Sequence, residues 1–476
     1  MMGLTGMATV FRRQRAWLRL WASVIVAAAP LGFAQAADAD AERALFREIF
    51  QELVEIDTTH SAGDTTRAAR AMARRLLDAG FTAADLQVLE PFPRKGNLVL
   101  RYRGSGEKRP MLLMSHLDVV EAPRDDWTGD PFQLQERDGY FIARGSSDDK
   151  ARGAVLVSVL SQLKREGFVP KRDIILALTA DEERGDVPTN GVAWLVQHQR
   201  ALIDAEFGLN EGAGGVLARG KPWVLNVQLA EKLYATYELQ TSNPGGHSMA
   251  PPRDNAITEL AEALVRLAGH EFPLNLSPVT RAYLERMSAL SAEPLASALR
   301  GVTQDRPDPS AVAFLSARPG WNSQLRTTCV VTMIEGGHAA NALPQRGKAT
   351  VMCRLLPHDD AAAVERTLAS LAGEKVTLTR VKASQPSPPS PMRPDVIGAI
   401  EKVAGQMWPS VPVVPVMSPG VSDSRFLRGA GIPMYGVSGL FQAGNDYAHG
   451  RDERVPVRWL YESREFMVRL VRELAQ

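Results

Sequence analysis

Thiols are nearly absent from this chain: Cys329 and Cys353 are the two cysteines in 476 residues. That excludes a cysteine-rich metal site and a multi-disulfide scaffold. An excess of charge of one sign is also missing. Lysine and arginine number 55 against 54 aspartate and glutamate, a formal net charge of +1. Nothing in that balance draws the chain to nucleic acid or to an acidic surface. Past residue 36 no apolar run is long enough to span a bilayer. No internal repeat is visible, which excludes a solenoid or a propeller.

The N-terminus differs from the rest. Arg12, Arg13, Arg15 and Arg19 precede a mostly apolar, uncharged stretch at residues 20–33, and Ala34-Gln35-Ala36 supplies a small-x-small cleavage signal. This anatomy predicts a secretory signal peptide over residues 1–36. The mature chain is then expected to begin near Ala37 and to be exported, to the periplasm if the source is a Gram-negative bacterium, without membrane contact after cleavage. Export permits one disulfide. Cys329 and Cys353 lie in β-like runs on either side of residues 336–347, so a bonded pair across a hairpin and two free buried thiols fit the sequence equally.

The length makes two domains the default. Helical periodicity marks residues 41–53 and 66–79, and a strong helix at 149–166 is closed by Gly167. Strands are expected at 97–102, 111–114, 173–179 and 206–209. Strand, helix and strand in alternation argue an α/β fold with a mostly parallel sheet flanked by helices. Near Lys232 the pattern changes. Strands at 233–240, 327–334, 348–355 and 376–381, with helices at 255–267 and 361–371, read as an α+β module inserted at residues 233–384. Residues 273–324 read as irregular and proline-containing, with a helical piece around 280–287. Gln385 opens a proline-rich exit, after which the first pattern resumes. The expected division is therefore a first part at 37–232, the insert at 233–384 and a second part at 385–476.

Acidic groups and histidines collect where strands end. His116 and Asp118 follow one apolar strand, Glu182 and Glu183 a second, Glu211 a third. Asp148 and Asp149 head a helix, and His449 stands in a late Ala-His-Gly run. An open α/β sheet builds its site at the carboxyl ends of its strands. Two histidines and three carboxylates, one of them bridging, form a donor set that a pair of zinc ions would take. Each cluster alone is weak, because adjacent glutamates are usually a solvated face; their common placement carries the argument. A run at residues 215–221 mimics a phosphate loop, but Pro222 stands where the hydroxyl is needed, and we reject it. His60, His198, His270, His338 and His358 fit no motif and read as surface residues.

The order His-x-Asp, Asp-x-Lys, Glu-Glu, Glu-Gly and a late Ala-His resembles the dinuclear zinc exopeptidase and deacylase family, metallopeptidase family twenty. Carboxypeptidase S, aminoacylase, acetylornithine deacetylase and succinyl-diaminopimelate desuccinylase belong to it. The runs around Trp127, Asp138-Gly139-Tyr140, Ala143–Lys150 and Asn210-Glu211-Gly212 resemble the carboxypeptidase S branch most. The resemblance implies a zinc-exopeptidase fold whose inserted domain acts as a lid or dimerisation unit. It implies two zinc ions, with cobalt or manganese as substitutes. Asp148 would bridge them, His116 and Glu211 completing one site, Glu183 and His449 the other. Glu182 would be the general base and Asp118 would orient His116. A cis peptide between Asp148 and Asp149 is also implied. His247, in Gly-Gly-His-Ser, would assist the oxyanion, in dimeric relatives across the subunit boundary. Arg354 and Asn341 would hold a substrate carboxylate, with Arg425 a further candidate; a planar guanidinium suits that task.

The implied reaction is hydrolysis of an amide in a peptide or N-acyl amino acid, next to a free carboxylate. A homodimer through the inserted domain is allowed. Deacylation of acetylornithine or succinyl-diaminopimelate is the competing activity, and export argues against it. A non-catalytic binding protein on the same fold is a third reading, and intact ligand positions together with Glu182 oppose it. Ala151 and Met249 depart from the family pattern at positions that are not ligands.

Overall fold

The computed structural model describes residues 29–444 and 446–476, with side chains from Asp40 onward. Of the expected signal peptide, residues 1–28 lie outside the described residues, and residues 29–36 begin the helix Ala29–Glu55. No helix among the described residues is long and apolar enough to cross a membrane.

The larger of two main sheets has ten strands. Across it run Leu86–Leu89, Asn97–Tyr102, Arg172–Thr179, Lys108–His116, Phe207–Asn210, Met434–Gly436, Lys221–Glu231, Gly215–Ala218 and Phe441–Gln442, and Val413–Ser418 pairs beside Lys221–Glu231. The centre is parallel, from Arg172–Thr179 through Met434–Gly436. Antiparallel pairs extend it on both sides. Successive strand side chains point to opposite faces, and the apolar runs divide accordingly. Met111, Leu113, Leu176 and Leu178 enter one core with Phe46, Phe50, Val155 and Phe466. Leu112, Met114, Ile175 and Ala177 enter the other with Val192, Leu195 and Leu427. A strand covered on both faces needs this unbroken apolar sequence.

The helix Lys150–Arg165 is buried along nearly its whole length. Small residues let it approach the sheet: a Cβ on Gly153 would lie 3.2 Å from Ser115 Oγ. That close fit carries the first turn of the helix, and the aspartates before it, to the end of the strand Lys108–His116.

The smaller sheet is antiparallel, in the order Thr328–Gly336, Arg346–Leu355, Leu233–Ser242, Val376–Ala383. Burial alternates along Leu233–Ser242, as it must when one face is covered and the other is not. The helices Ala256–Ala268 and Ala361–Ala372 supply the cover, and the unit has its own core around Tyr237, Leu260, Val351 and Leu368. Cys329 and Cys353 are directly paired across adjacent strands and form a disulfide.

Residues 273–324, expected to be irregular, are largely helical. They form the helices Pro278–Leu290, Leu295–Val302, Pro309–Ser316 and Pro319–Leu325. The prolines that read as breakers stand at the first position of three of these helices, where a missing N–H costs nothing. Their apolar faces pack on Val224 and Val414 of the larger sheet, so within the span 233–384 this stretch covers the larger sheet rather than the smaller one. The strand Lys221–Glu231 was also unexpected. It joins the larger sheet directly to the smaller one, with Lys232 alone between.

Candidate metal centre

Three neighbouring parallel strands deliver the acidic groups. His116 ends Lys108–His116 and stands in register with Thr179 of the next strand, which is followed by Asp181, Glu182 and Glu183. Glu211 follows Phe207–Asn210 on the other side. The helix Lys150–Arg165 starts opposite, with Asp149 as its N-cap residue and Asp148 before it. The peptide between Asp148 and Asp149 is cis. His449 arrives on the loop after Phe441–Gln442, with a left-handed backbone at φ 62°.

Asp148 lies between the two histidines. One carboxylate oxygen is 2.9 Å from His116 Nε2, and the other is 3.2 Å from His449 Nε2. His449 Nε2 is also 3.0 Å from Glu183 Oε2, and His116 Nε2 lies 3.9 Å from Glu211 Oε2. Among the described residues, two trios bring their donor atoms within 4.8 Å: His116, Asp148 and Glu183, and His116, Asp149 and Glu211. Asp149 thus stands nearer to the donors than its expected role as a mere neighbour of Asp148.

His116 Nδ1 is 3.0 Å from the backbone oxygen of Asp118. A carbonyl only accepts, so Nδ1 carries the hydrogen and the Nε2 lone pair faces Asp148 when the ring is neutral. The Asp118 carboxylate does different work from the orienting role expected of it. It stands 3.7 Å from Nδ1, and its two oxygens instead accept the N–H groups of Glu182 at 3.1 Å and Glu183 at 3.0 Å. The main chain of Asp118 orients the histidine, and its side chain holds the two glutamates.

The residues fit divalent cations. Nitrogen and carboxylate oxygen donors converge, and the buried oxygens Glu183 Oε1 and Asp149 Oδ2 have no hydrogen-bond partner. Buried polar atoms are ordinarily paired. Burial, then the charges of Glu211 and Asp423, push the Glu182 carboxyl well above its usual range; burial and the charges of Asp149 and Asp148 do the same to Glu211. Burial works against charge on His116, yet the Asp148 hydrogen bond and the charges of Glu211 and Asp118 outweigh it and hold the imidazole well above its ordinary value. Hydrogen bonds to Asp148 and Glu183 raise His449 to about 10. So many acidic groups in a low-dielectric site repel one another, and bound cations would relieve that repulsion.

None of the remaining candidates belongs to either donor trio. His247 and Asn341 come together on the smaller unit: His247 pairs with Ala342 in a two-residue ladder, and Ser248 N–H donates to Asn341 O at 3.1 Å. The His247 ring is exposed, and its Nδ1 accepts the Met249 N–H. Arg354 has a buried Nη1 without a partner, and its guanidinium lies 6.0 Å from the Tyr234 ring centroid. The Tyr234 hydroxyl donates to Asp186, three residues after Glu183. Arg425 is almost wholly buried and donates to Asp186 Oδ1 at 3.0 Å. This structural pair commits its charge, which counts against the carboxylate-binding role expected of it. Asp423 takes its hydrogen bond from Asn190 at 2.7 Å.

Several supporting residues had no expected role. Glu453 is fully buried and accepts the N–H groups of Gly145, Ser147 and Asp148, and it pairs with Arg144 at 2.7 Å. Asp181, left-handed at φ 58°, is held by Lys95 at 2.6 Å and Thr189 at 2.5 Å. Lys150 donates to Ile56 O at 2.7 Å, and burial lowers its pKa to about 7. Only the motif around Asp148 hinted at them: Arg144 and Glu453 each sit beside a ligand run, with opposite charges 309 residues apart.

Comparison with known proteins agrees with this geometry. Residues 112–473 match Peptidase family M20/M25/M40. The human protein described as N-fatty-acyl-amino acid synthase/hydrolase PM20D1 is 28% identical over 381 residues, 77% of this chain and 74% of the relative. Probable carboxypeptidase S-like 2 of Dictyostelium discoideum is 26% identical over 79% of this chain and 74% of its own length. In fold, the M20 family metallo-carboxypeptidase Sso-CP2 from Sulfolobus solfataricus superposes with a TM-score of 0.66 at 18% identity, covering 90% of this chain and 99% of that one. With the family match spanning the whole donor cluster, from the strand that ends in His116 to beyond Glu453, this chain belongs to Peptidase family M20/M25/M40.

Proposed function

We propose that this protein is a two-cation amidohydrolase that cleaves peptides or N-acyl amino acids next to a free carboxylate. The observation that carries the reading is the position of Asp148, with one carboxylate oxygen toward His116 and the other toward His449. His116, Asp148 and Glu211 would hold one cation; Asp148, Glu183 and His449 the other. Zinc suits this mixed nitrogen and oxygen set, and cobalt or manganese would serve in its place. When bound, the cations supply positive charge that acidifies water and polarises a carbonyl.

The chain's own residues do the rest. Glu182 accepts the proton of the attacking water and delivers it to the departing amine. The C–N bond breaks, the water oxygen joins the acyl carbon, and a carboxylate and an amino compound leave. Asp118 keeps Glu182 in place through its backbone N–H. Arg354, with an unpartnered buried nitrogen, and Asn341 would receive the substrate carboxylate. His247 would donate to the oxyanion. The names of the relatives support the substrate class, because an N-acyl amino acid and a carboxypeptidase substrate share an amide beside a free carboxylate.

Self-association through the smaller sheet belongs to the same reading. Its edge strand exposes Val330, Met333 and Ile334, and an exposed apolar edge invites pairing; sedimentation of the mature chain would test it. Export to the periplasm is supported by the N-terminal sequence and by the disulfide. The central test is chelation. Protein stripped of metal should lose hydrolysis of N-acetyl amino acids and dipeptides, and regain it as zinc is added to two equivalents per chain. Full activity after stripping would sink the proposal.

A further inference from the structure

Tyr234 stands where the chain first enters the smaller unit and where it last leaves it. It is the second residue of the strand Leu233–Ser242, beside the junction at Lys232. Its N–H donates to Ser384 Oγ at 3.0 Å, and its carbonyl accepts the Ser384 N–H at 2.8 Å. Ser384 follows Val376–Ala383, the last strand of that sheet. The backbone of Tyr234 thus ties entry to exit, and its side chain reaches out of the unit. The hydroxyl donates to Asp186 Oδ2, on the loop of the larger unit that carries Glu182 and Glu183. Burial and Asp186 push this tyrosine up to about 12, so it keeps its proton and donates.

Asp186 is anchored from its own side as well. Its other oxygen, Oδ1, accepts from Arg425 Nη2 at 3.0 Å. The Arg425 side chain is 1% exposed, and this ion pair already answers its charge. The Tyr234 hydroxyl is therefore not needed for neutralisation; what it adds is a link between the units. One tight turn leads from Asp186 back to the glutamates. The Gly185 N–H donates to Glu182 O at 2.7 Å, with Gly185 left-handed at φ 66°, a conformation glycine adopts freely. The start of the loop is held by the larger unit alone, through Asp118 and through Lys95 on Asp181. Its end is held by both units.

Arg354 stands against the ring of the same tyrosine. The two residues are directly paired across adjacent strands, and the guanidinium lies 6.0 Å from the ring centroid, at the outer reach of a cation–π contact. Arg354 Nη1 is buried without a protein partner, a donor that a substrate carboxylate would satisfy. We infer that Tyr234 and Asp186 are positioning residues, which couple capture of the substrate carboxylate at Arg354 to the placement of Glu182. The inference rests on the amidohydrolase reading above. A carboxylate that fixes the guanidinium also fixes the ring against it. The hydroxyl of that ring fixes Asp186, and one turn away Glu182 is held by its carbonyl. The competing account is a tie that serves stability alone.

The test is Tyr234→Phe in the zinc-loaded protein, with N-acetyl-leucine as substrate. The ring against Arg354 stays and only the link is lost. KM should stay within about threefold of wild type while kcat falls by about tenfold or more, since a misplacement of about 1 Å can cost about a hundredfold. Zinc stoichiometry by elemental analysis should stay at the wild-type value. A cycle with Arg354→Ala adds a readout that a tie serving stability alone would not move. If the tyrosine acts through the arginine, the double variant should be no slower in kcat/KM than Arg354→Ala. Fully additive losses would overturn the inference, and so would an unchanged kcat in Tyr234→Phe. Should that variant not fold, Asp186→Asn leaves one acceptor for two donors and should also lower kcat; an unchanged kcat there has the same overturning force. If the zinc-loaded wild type cleaves no amide, the amidohydrolase reading fails and takes this inference with it. A wild type that cleaves, beside variants that cleave equally well, sinks this inference alone.

Discussion

Glu453 holds Asp148 by its backbone: Glu453 Oε1 accepts the Asp148 N–H at 2.9 Å, and the same oxygen takes the Ser147 N–H at 2.7 Å. Its other oxygen binds Gly145 N–H and Arg144. One buried carboxylate thus fixes the loop that presents the residue lying between the two histidines, and it does so from four residues beyond His449. Both runs of the site are tied together before any cation binds.

Glu453→Gln should therefore damage stability and metal binding together. The Arg144–Glu453 pair is nearly inaccessible on both sides, and removing one member of a buried pair costs about 3–5 kcal/mol. Urea denaturation measures the first effect. Cation affinity should fall roughly 10–100-fold, as for other residues that position ligands. A variant with wild-type urea midpoint and wild-type zinc affinity would show that Glu453 is dispensable.

Glu182→Gln should separate binding from chemistry. Glu182 is in neither donor trio, so zinc stoichiometry by elemental analysis should stay at the wild-type value. Loss of a general base costs about 10²–10⁴ in kcat. Unchanged turnover of an N-acyl amino acid would remove Glu182 from the mechanism.

Protein stripped of metal should lose stability as pH rises from about 4 to about 7. Burial raises Asp118 to about 6 and Asp149 to about 7. Each therefore binds its proton more tightly folded than unfolded. The stability this contributes is fully present below the unfolded carboxylate value and is lost as pH passes through the folded one. Asp148 is shifted down, so its contribution is lost only below this window. Thermal melts of chelated protein across that range should trend downward. Zinc at saturating concentration should raise the melting temperature and flatten the trend near neutrality. A rising melting temperature in chelated protein would contradict the electrostatics described here.

Reduction should weaken the smaller unit. The disulfide closes a loop with a sequence separation of 24, worth roughly 3 kcal/mol in chain entropy. Cys329→Ser with Cys353→Ser should lower the urea midpoint of the unit built on Leu233–Ser242, followed by hydrogen exchange of its strands. The amides of Lys108–His116 should be unaffected, since that strand belongs to a separate core. Equal loss of protection in both sheets would mean the two units unfold as one.

The sequence by itself determined the α/β patterning and the gathering of histidines and carboxylates at strand ends. Continuous apolar strands ask for cover on both faces, which helices supply here, and His116, Asp148, Glu183, Glu211 and His449 lie within 4 Å of one another in pairs. Local signals carry such information because strand period and chain punctuation are local. Tertiary packing alone decided the rest. The prolines at 278, 309 and 319 became helix starts because the larger sheet needed a cover at Val224 and Val414. Glu453 gained its role from three N–H groups more than 300 residues away. The Asp118 carboxylate holds the two glutamates instead of the histidine because two free N–H groups lie nearer to it than the ring does.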